Sequence, residues 1–268
     1  MKSYIIILLA FISLAGKAFA QDDSPYKTST KVDAPIIAAG MGLSYWGLSR
    51  MQDKEGLTEE EIANLSKNDV NGFDRFSVGY HSDQAKKISD IPFYSSFAMP
   101  LAVMILNDNV RSKFGQVAVL YVETMAITGA LFTNANAAFP RTRAMVYNDE
   151  VDMSDRKSAN ARNSFYAGHT AATASATFFA AKVFHDFNPD SRARPYVWAT
   201  AAAIPATVGY LRLKAGKHFL SDNIIGYTLG AAAGILVPQL HKKSNKTNMS
   251  LVPVASPEFN GAAFAYTF

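Results

Sequence analysis

Apolar residues along the chain gather into six blocks, at about residues 34–48, 91–106, 117–132, 167–184, 197–211 and 223–240. Each block predicts a helix. Within them Ala and Gly are dense, as in TAATASATFFAAK and GYTLGAAAGIL, which lets two helix backbones approach closely. The expected fold is therefore all-α, a compact bundle of about six helices. A polar stretch, Ser49–Ser89, separates the first two blocks, and its Thr58, followed three residues later by Glu61, predicts a capping box. The last segment, LVPVASPEFNGAAFAYTF, places Asn260-Gly261 between two alternating runs with Phe264, Tyr266 and Phe268 on one face. That pattern predicts a short C-terminal β-hairpin packed on the bundle, since two strands cannot close a barrel.

The N-terminus changes the setting of this bundle. MKSYIIILLAFISLAGKAFAQDD has a lysine, an apolar run of about a dozen residues and the small-residue site AFA, which predicts a secretory signal cleaved after Ala20. An uncleaved anchor helix is the alternative. The expected organisation is residues 1–20 as signal peptide, 21–90 as a helical extension, 91–242 as the main bundle and 243–268 as the hairpin tail. No cysteine is present, so disulfides, thiol nucleophiles and cysteine-ligated metals are excluded. The net charge of +4 falls by two without Lys2 and Lys17, and no basic stripe is interleaved with aromatics, so no nucleic-acid partner is expected. The KKSNK run reads as a solvated helix end or linker in preference to an anionic-lipid contact. A mean hydropathy of +0.02 leaves membrane association open.

Three segments at helix boundaries carry candidate chemistry. In RLKAGKHFLSD, Arg212, His218 and Asp222 stand six and then four residues apart. A helix starting near Ser221 puts Asp222 in its first turn, within reach of the His218 imidazole, where a carboxylate fixes one tautomer. Arg212 offers a planar fork for phosphate oxygens. In NSFYAGHTAATA, Gly168 and His169 open an Ala-rich helix whose free N–H groups form an anion site, and His169 is placed to donate a proton. In NAAFPRTRAMVYN, Arg141 and Arg143 follow an apolar helix. Alone they read as solvated charge; beside the other segments Arg143 becomes a second guanidinium. His81, His185 and His241 read as surface residues without metal-ligand spacing, and Asp74 with Arg75 as a structural pair.

Together these segments resemble the type 2 phosphatidic acid phosphatase and vanadium haloperoxidase superfamily, whose signature runs K-x6-R-P, P-S-G-H and S-R-x5-H-x3-D; the resemblance covers about Phe93 to Leu240. It implies a metal-independent, cofactor-free phosphohydrolase acting on phosphate monoesters or lipid (pyro)phosphates through a phosphohistidine. His218 would be the nucleophile, Asp222 its orienting carboxylate and His169 the general acid. Arg143, Arg212, Gly168 and the positions of Asn136 and Ala167 would hold phosphate. The family lysine falls on Asn136, the proline on Ala144, P-S on Tyr166-Ala167 and the serine on Leu211. Arg141, Lys214 or Lys217 would have to compensate. The implied partner is a phosphorylated small molecule or lipid, the implied place the periplasm or the periplasmic side of the envelope membrane.

Three alternatives stay open: a phosphate-binding relative without turnover, a vanadate-dependent haloperoxidase, and an envelope protein using the hairpin as an interaction edge. The first two apolar blocks are nearer in length to core helices than to membrane spans.

Overall fold

The computed structural model describes residues 24–243, 249–255 and 260–266; the expected signal segment, residues 1–20, lies outside the described residues. Seven long helices dominate: α1 (Thr30–Gln52), α2 (Asp83–Ser96), α3 (Ala98–Leu106), α4 (Phe114–Ala138), α5 (Gly168–Phe187), α6 (Arg194–Lys214) and α7 (Leu220–Leu240). Every apolar block lies within them, and polar caps extend the ends beyond the blocks. At the start of α2, for example, Ser82 Oγ accepts the Ala85 N–H at 3.1 Å. The Thr58–Glu61 capping box starts a short helix, Glu59–Ala63, with both reciprocal bonds present.

The second block corrects the expected core helix. Asp83–Leu106, broken only at Phe97, makes a 24-residue helical stretch with an apolar C-terminal part, and Ile91, Leu101, Ile105 and Leu106 on it are exposed. With Phe114–Ala138 and Leu220–Leu240 it is one of three helices among the described residues that are long and apolar enough to cross a membrane. These helices suit the chain to membrane association.

Helix α5 is the central pillar, buried along most of its length and packed by α4, α6 and α7. The approach of α7 is set by three glycines spaced one turn apart. A Cβ on Gly226, Gly230 or Gly234 would lie 2.5, 2.1 and 2.5 Å from the carbonyl oxygens of Ala167, Ala171 and Ser175. Backbone therefore packs on backbone, and the hydroxyls of Thr128 and Ser175 share a 2.7 Å hydrogen bond in the interior beside them. Helix α1 lies along α4, with Gly40 against Ala126 and Gly47 against Thr133. Within the expected extension, Thr30–Gln52 thus packs directly on the bundle. At the C-terminal end β1 (Met249–Ala255) and β2 (Asn260–Tyr266) pair antiparallel, Leu251 opposite Phe264. Phe264 is 60% exposed, so packing of that aromatic face on the bundle is not supported.

Close packing at α7 has a measurable signature. Gly230→Ala is expected to cost about 1–3 kcal/mol through overpacking, read as a lowered Tm. Gly42→Ala, where an added methyl meets nothing within 4 Å, should hold or raise Tm through helix propensity.

Candidate active site

The turn between α6 and α7 explains why Arg212 and His218 are six apart. Helix α6 ends in a Schellman motif: the Gly216 N–H bonds the Leu213 carbonyl at 3.0 Å and the Lys217 N–H bonds the Arg212 carbonyl at 3.1 Å. Gly216 sits at φ +67°, and a Cβ there would lie 1.7 Å from the Tyr80 carbonyl oxygen, so both backbone angle and space demand glycine. The reversal folds Lys217 and His218 back beside Arg212. All three side chains are buried.

His218 Nδ1 lies 2.7 Å from the Ser164 carbonyl oxygen. A carbonyl only accepts, so Nδ1 carries the proton and Nε2 keeps its lone pair. This differs from the expected direct Asp222 contact. Asp222 instead accepts from Ser164 Oγ at 2.6 Å, from the Phe219 N–H at 2.9 Å and from Arg141 Nη1. The carboxylate therefore positions the serine whose backbone holds the imidazole. It lies in the first turn of α7 because its bond to the Phe219 N–H caps that helix.

Arg141 is held on its other side by Asp74, at 2.7 Å from Nη2, and its guanidinium lies over the Phe219 ring at 4.5 Å. Asp74 also accepts the Ser221 N–H at 2.9 Å. The expected Asp74–Arg75 pair does not form, because Arg75 turns to the Val70 carbonyl. With both carboxylates engaged, Arg141 is not a spare cation. Lys214 is not one either: its ammonium sits over the Tyr80 ring at 5.0 Å.

Lys217 is different. Its buried ammonium donates to Met145 Sδ at 2.9 Å and has no carboxylate within ion-pair distance among the described residues. Burial, then the charges of Arg143, Lys86 and Arg212, push it down to about 8. Arg143 is buried too, and burial with the neighbouring Arg212 charge pushes it down to about 9. It donates to Asn160 Oδ1 at 2.9 Å and the Asn163 carbonyl at 3.3 Å, while its Nε and that of Arg212 have no hydrogen-bond partner.

His169 joins this cluster from the first turn of α5. Burial, then Arg212 and Arg143, lower it to about 3, and His218 is held well below the ordinary range by burial, then Arg143 and Arg212. The two imidazoles and three cations thus share one electrostatic site. His169 stacks on Phe93 at 4.1 Å between ring centres, and Asp90 lies 3.7 Å from its Nε2 and 3.9 Å from Arg212 Nη1. The His169 and Asp90 side chains, 31% and 38% exposed, form the open edge. Two clefts, one beside Ile62 and Arg156 and one beside Tyr80 and Ile88, lie off this cluster.

Of the other expected phosphate contacts, Gly168 begins α5 with no side-chain cap, leaving its N–H without an intrahelical partner. A Cβ on Gly168 would strike the Phe132 ring at 2.5 Å. Ala167 is corrected: its N–H is committed to the Asp222 carbonyl at 3.1 Å, and its methyl offers no donor. Asn136 is fully buried with neither side-chain polar atom hydrogen-bonded, while Lys54 reaches its backbone carbonyl and, at 2.8 Å, Asn163 Oδ1. Ser164, Asp90 and Phe93 were not singled out by the sequence. His185 packs against Arg194 and Trp198 away from the site. His241 is corrected from a surface residue to a half-buried one beside Asp33 and Glu123.

The sequence model described as the PAP2 superfamily matches residues 115–246. Among solved structures, the chain is similar to one titled "Crystal structure of the first transmembrane PAP2 type phosphatidylglycerolphosphate phosphatase from Bacillus subtilis", at 16% identity and a TM-score of 0.37, covering 90% of this chain and 96% of that one. No curated protein matches.

Two outcomes test this geometry. Arg141→Leu leaves Asp74 and Asp222 buried and unpaired and should cost about 3–5 kcal/mol, seen in the denaturation midpoint. The imidazoles supply the second. Their depressed values mean that the unfolded chain binds protons from about pH 6.5 downward, while folded His169 resists until about 3. Stability of the free protein should therefore fall as pH drops from 7 to 4, and saturating orthophosphate should offset the fall; equal stability at both pH values would refute the arrangement.

Proposed function

Because the chain belongs to the PAP2 superfamily, we propose that it is a metal-independent phosphohydrolase working through a phosphohistidine on His218. One observation carries the reading. Arg143, Arg212 and Lys217 are buried around two imidazoles, and the half-exposed Asp90, 3.9 Å from Arg212, is the only carboxylate within ion-pair distance of any of the three among the described residues. Buried charge without a partner is strongly unfavourable unless a ligand supplies the partner. A tetrahedral phosphoryl dianion matches the charge, and the Gly168 N–H at the start of α5 adds a donor.

In this reaction His218 Nε2 attacks phosphorus as the bond to the leaving oxygen breaks, and His169 gives that oxygen a proton. A bound dianion offsets the Arg212 and Arg143 charges that strip His169 of its proton in the free site. In the second half, His169 takes a proton from water, the water oxygen bonds phosphorus and the P–N bond breaks. Orthophosphate leaves, and both histidines return to their starting state. Asp222 acts through Ser164, and Lys217 takes the place of the lysine missing at Asn136.

The substrate proposed is a lipid phosphate. Ile91 and Tyr94, both largely exposed, flank Asp90 and Phe93 at the open edge, beside helices suited to a bilayer. In this reading residues 91–242 form the catalytic bundle, 21–90 an extension that lends Asp74, and 243–268 a tail. Export by residues 1–20 would set the site on the periplasmic side of the envelope membrane.

Purified protein should release phosphate from a short-chain phosphatidic acid in EDTA, with vanadate as inhibitor. His218→Ala should abolish release, and Lys217→Met should lower kcat by about 10²-fold, both at unchanged secondary structure. Saturable vanadate binding without any phosphate release would select a binding protein instead, a reading to which Asn136 and the donorless Ala167 lend support.

A further inference from the structure

At the opposite end of the bundle three buried or half-buried ligand atoms converge: Asp33 on the first turn of α1, Glu123 on α4 and His241 just after α7. His241 Nε2 lies 3.3 Å from Asp33 Oδ1 and 3.6 Å from Glu123 Oε2, and the three donor atoms all fall within 4.8 Å of one another. His241 Nδ1 is 2.8 Å from the Val237 carbonyl oxygen, one turn back on α7. The carbonyl must accept, so Nδ1 holds the proton and neutral Nε2 presents a lone pair. Three acceptors then face one another without a donor among them.

Glu123 Oε2 has no hydrogen-bond partner although the residue is only 3% exposed. No lysine or arginine pairs with Asp33 or Glu123 among the described residues. Asp33 also accepts the Ser29 N–H at 2.7 Å, which leaves the Glu123 carboxyl as the group that a cation at the centre would satisfy. A proton on Nε2 would leave one net negative charge buried, whereas a divalent cation balances both carboxylates. The spacing agrees with a cation. Ligands at roughly 2.0–2.1 Å from a tetrahedral metal lie about 3.3 Å apart, close to the 3.3 and 3.6 Å found. The backbone bond at Nδ1 is the outer contact that metal-binding histidines use to fix ring orientation.

We propose that Asp33, Glu123 and His241 bind a divalent transition-metal ion of the zinc type, pinning α1, α4 and α7 together at the end remote from the phosphate site. One nitrogen and two carboxylate oxygens suit Zn²⁺, with a water in the fourth position. Asp222 and His241 are separated by most of α7, about 28 Å at 1.5 Å per residue. The site is therefore independent of the hydrolytic reading.

The test uses the full purified chain stripped with EDTA and titrated with ZnCl₂, and with CoCl₂ as a spectroscopic probe. One equivalent should bind, Co²⁺ should give the visible absorption of a four-coordinate N/O site, and Zn²⁺ should raise Tm by about 5 °C. Glu123→Gln and His241→Gln should each weaken binding at least tenfold, and phosphate release should be equal with and without Zn²⁺. Absence of a one-equivalent Co²⁺ spectrum in the parent chain overturns the proposal whether or not the variants fold. Undiminished binding in either folded variant overturns it as well.

Discussion

The Arg141 guanidinium, spanning two carboxylates that have no other route to charge balance, is the contact on which the site rests. Asp74 comes from the segment before α2, Arg141 from the loop after α4 and Asp222 from the first turn of α7. Three stretches far apart in sequence meet at one cation. Through Asp222 the contact continues to Ser164 and from its carbonyl to His218. Each link is a hydrogen bond to a buried group, so loosening one leaves the next unsatisfied. Rotamer and tautomer of the candidate nucleophile are consequences of that chain.

Around this knot of one cation and two carboxylates lies a region with the opposite imbalance, buried cations in excess of carboxylates. Arg143 and Lys217 are buried with neutral partners, a carbonyl, an amide and a thioether, where carboxylates would satisfy them better. The same fold shows that it can supply cations with a carboxylate, since Lys182 and Lys242 both reach the buried Asp186. The contrast separates a structural ion-pair network from the cluster proposed to take a phosphoryl group. It also explains why the two imidazoles are neutral in the free protein: like charges and burial act in the same direction on each.

Much of this was legible in the chain. The six apolar blocks located the helices because burial and helix periodicity act on the same residues, and the Gly and Ala content foretold the backbone contact of α7 with α5. Arg143, Arg212, His169 and His218 were visible because each stands at a helix boundary. What stayed hidden depended on contacts across the fold. That Asp222 reaches Ser164 and not the imidazole is decided by where the loop before α5 passes, and no spacing within RLKAGKHFLSD encodes it. Asp74 could not be assigned to Arg141 over its neighbour Arg75 because the two stand 67 positions apart. Lys217 was one of three possible substitutes for the absent lysine, and the reason to propose it, the engagement of Arg141 and Lys214 elsewhere, is a matter of tertiary contacts. His241 had no local pattern at all; its companions come from two other helices.

The reach of Asp74 bears on where this molecule can be divided. Family resemblance marks out residues 115–246, yet one of the two carboxylates on Arg141, the Asp90 carboxylate at the open edge and the Lys54 amine that ties the end of α4 to Asn163 all precede that span. Evolutionary and mechanical boundaries therefore do not coincide. The recognisable motif region is a dependent part, whose buried ion pairs and hydrogen bonds are shared with sequence that carries no motif.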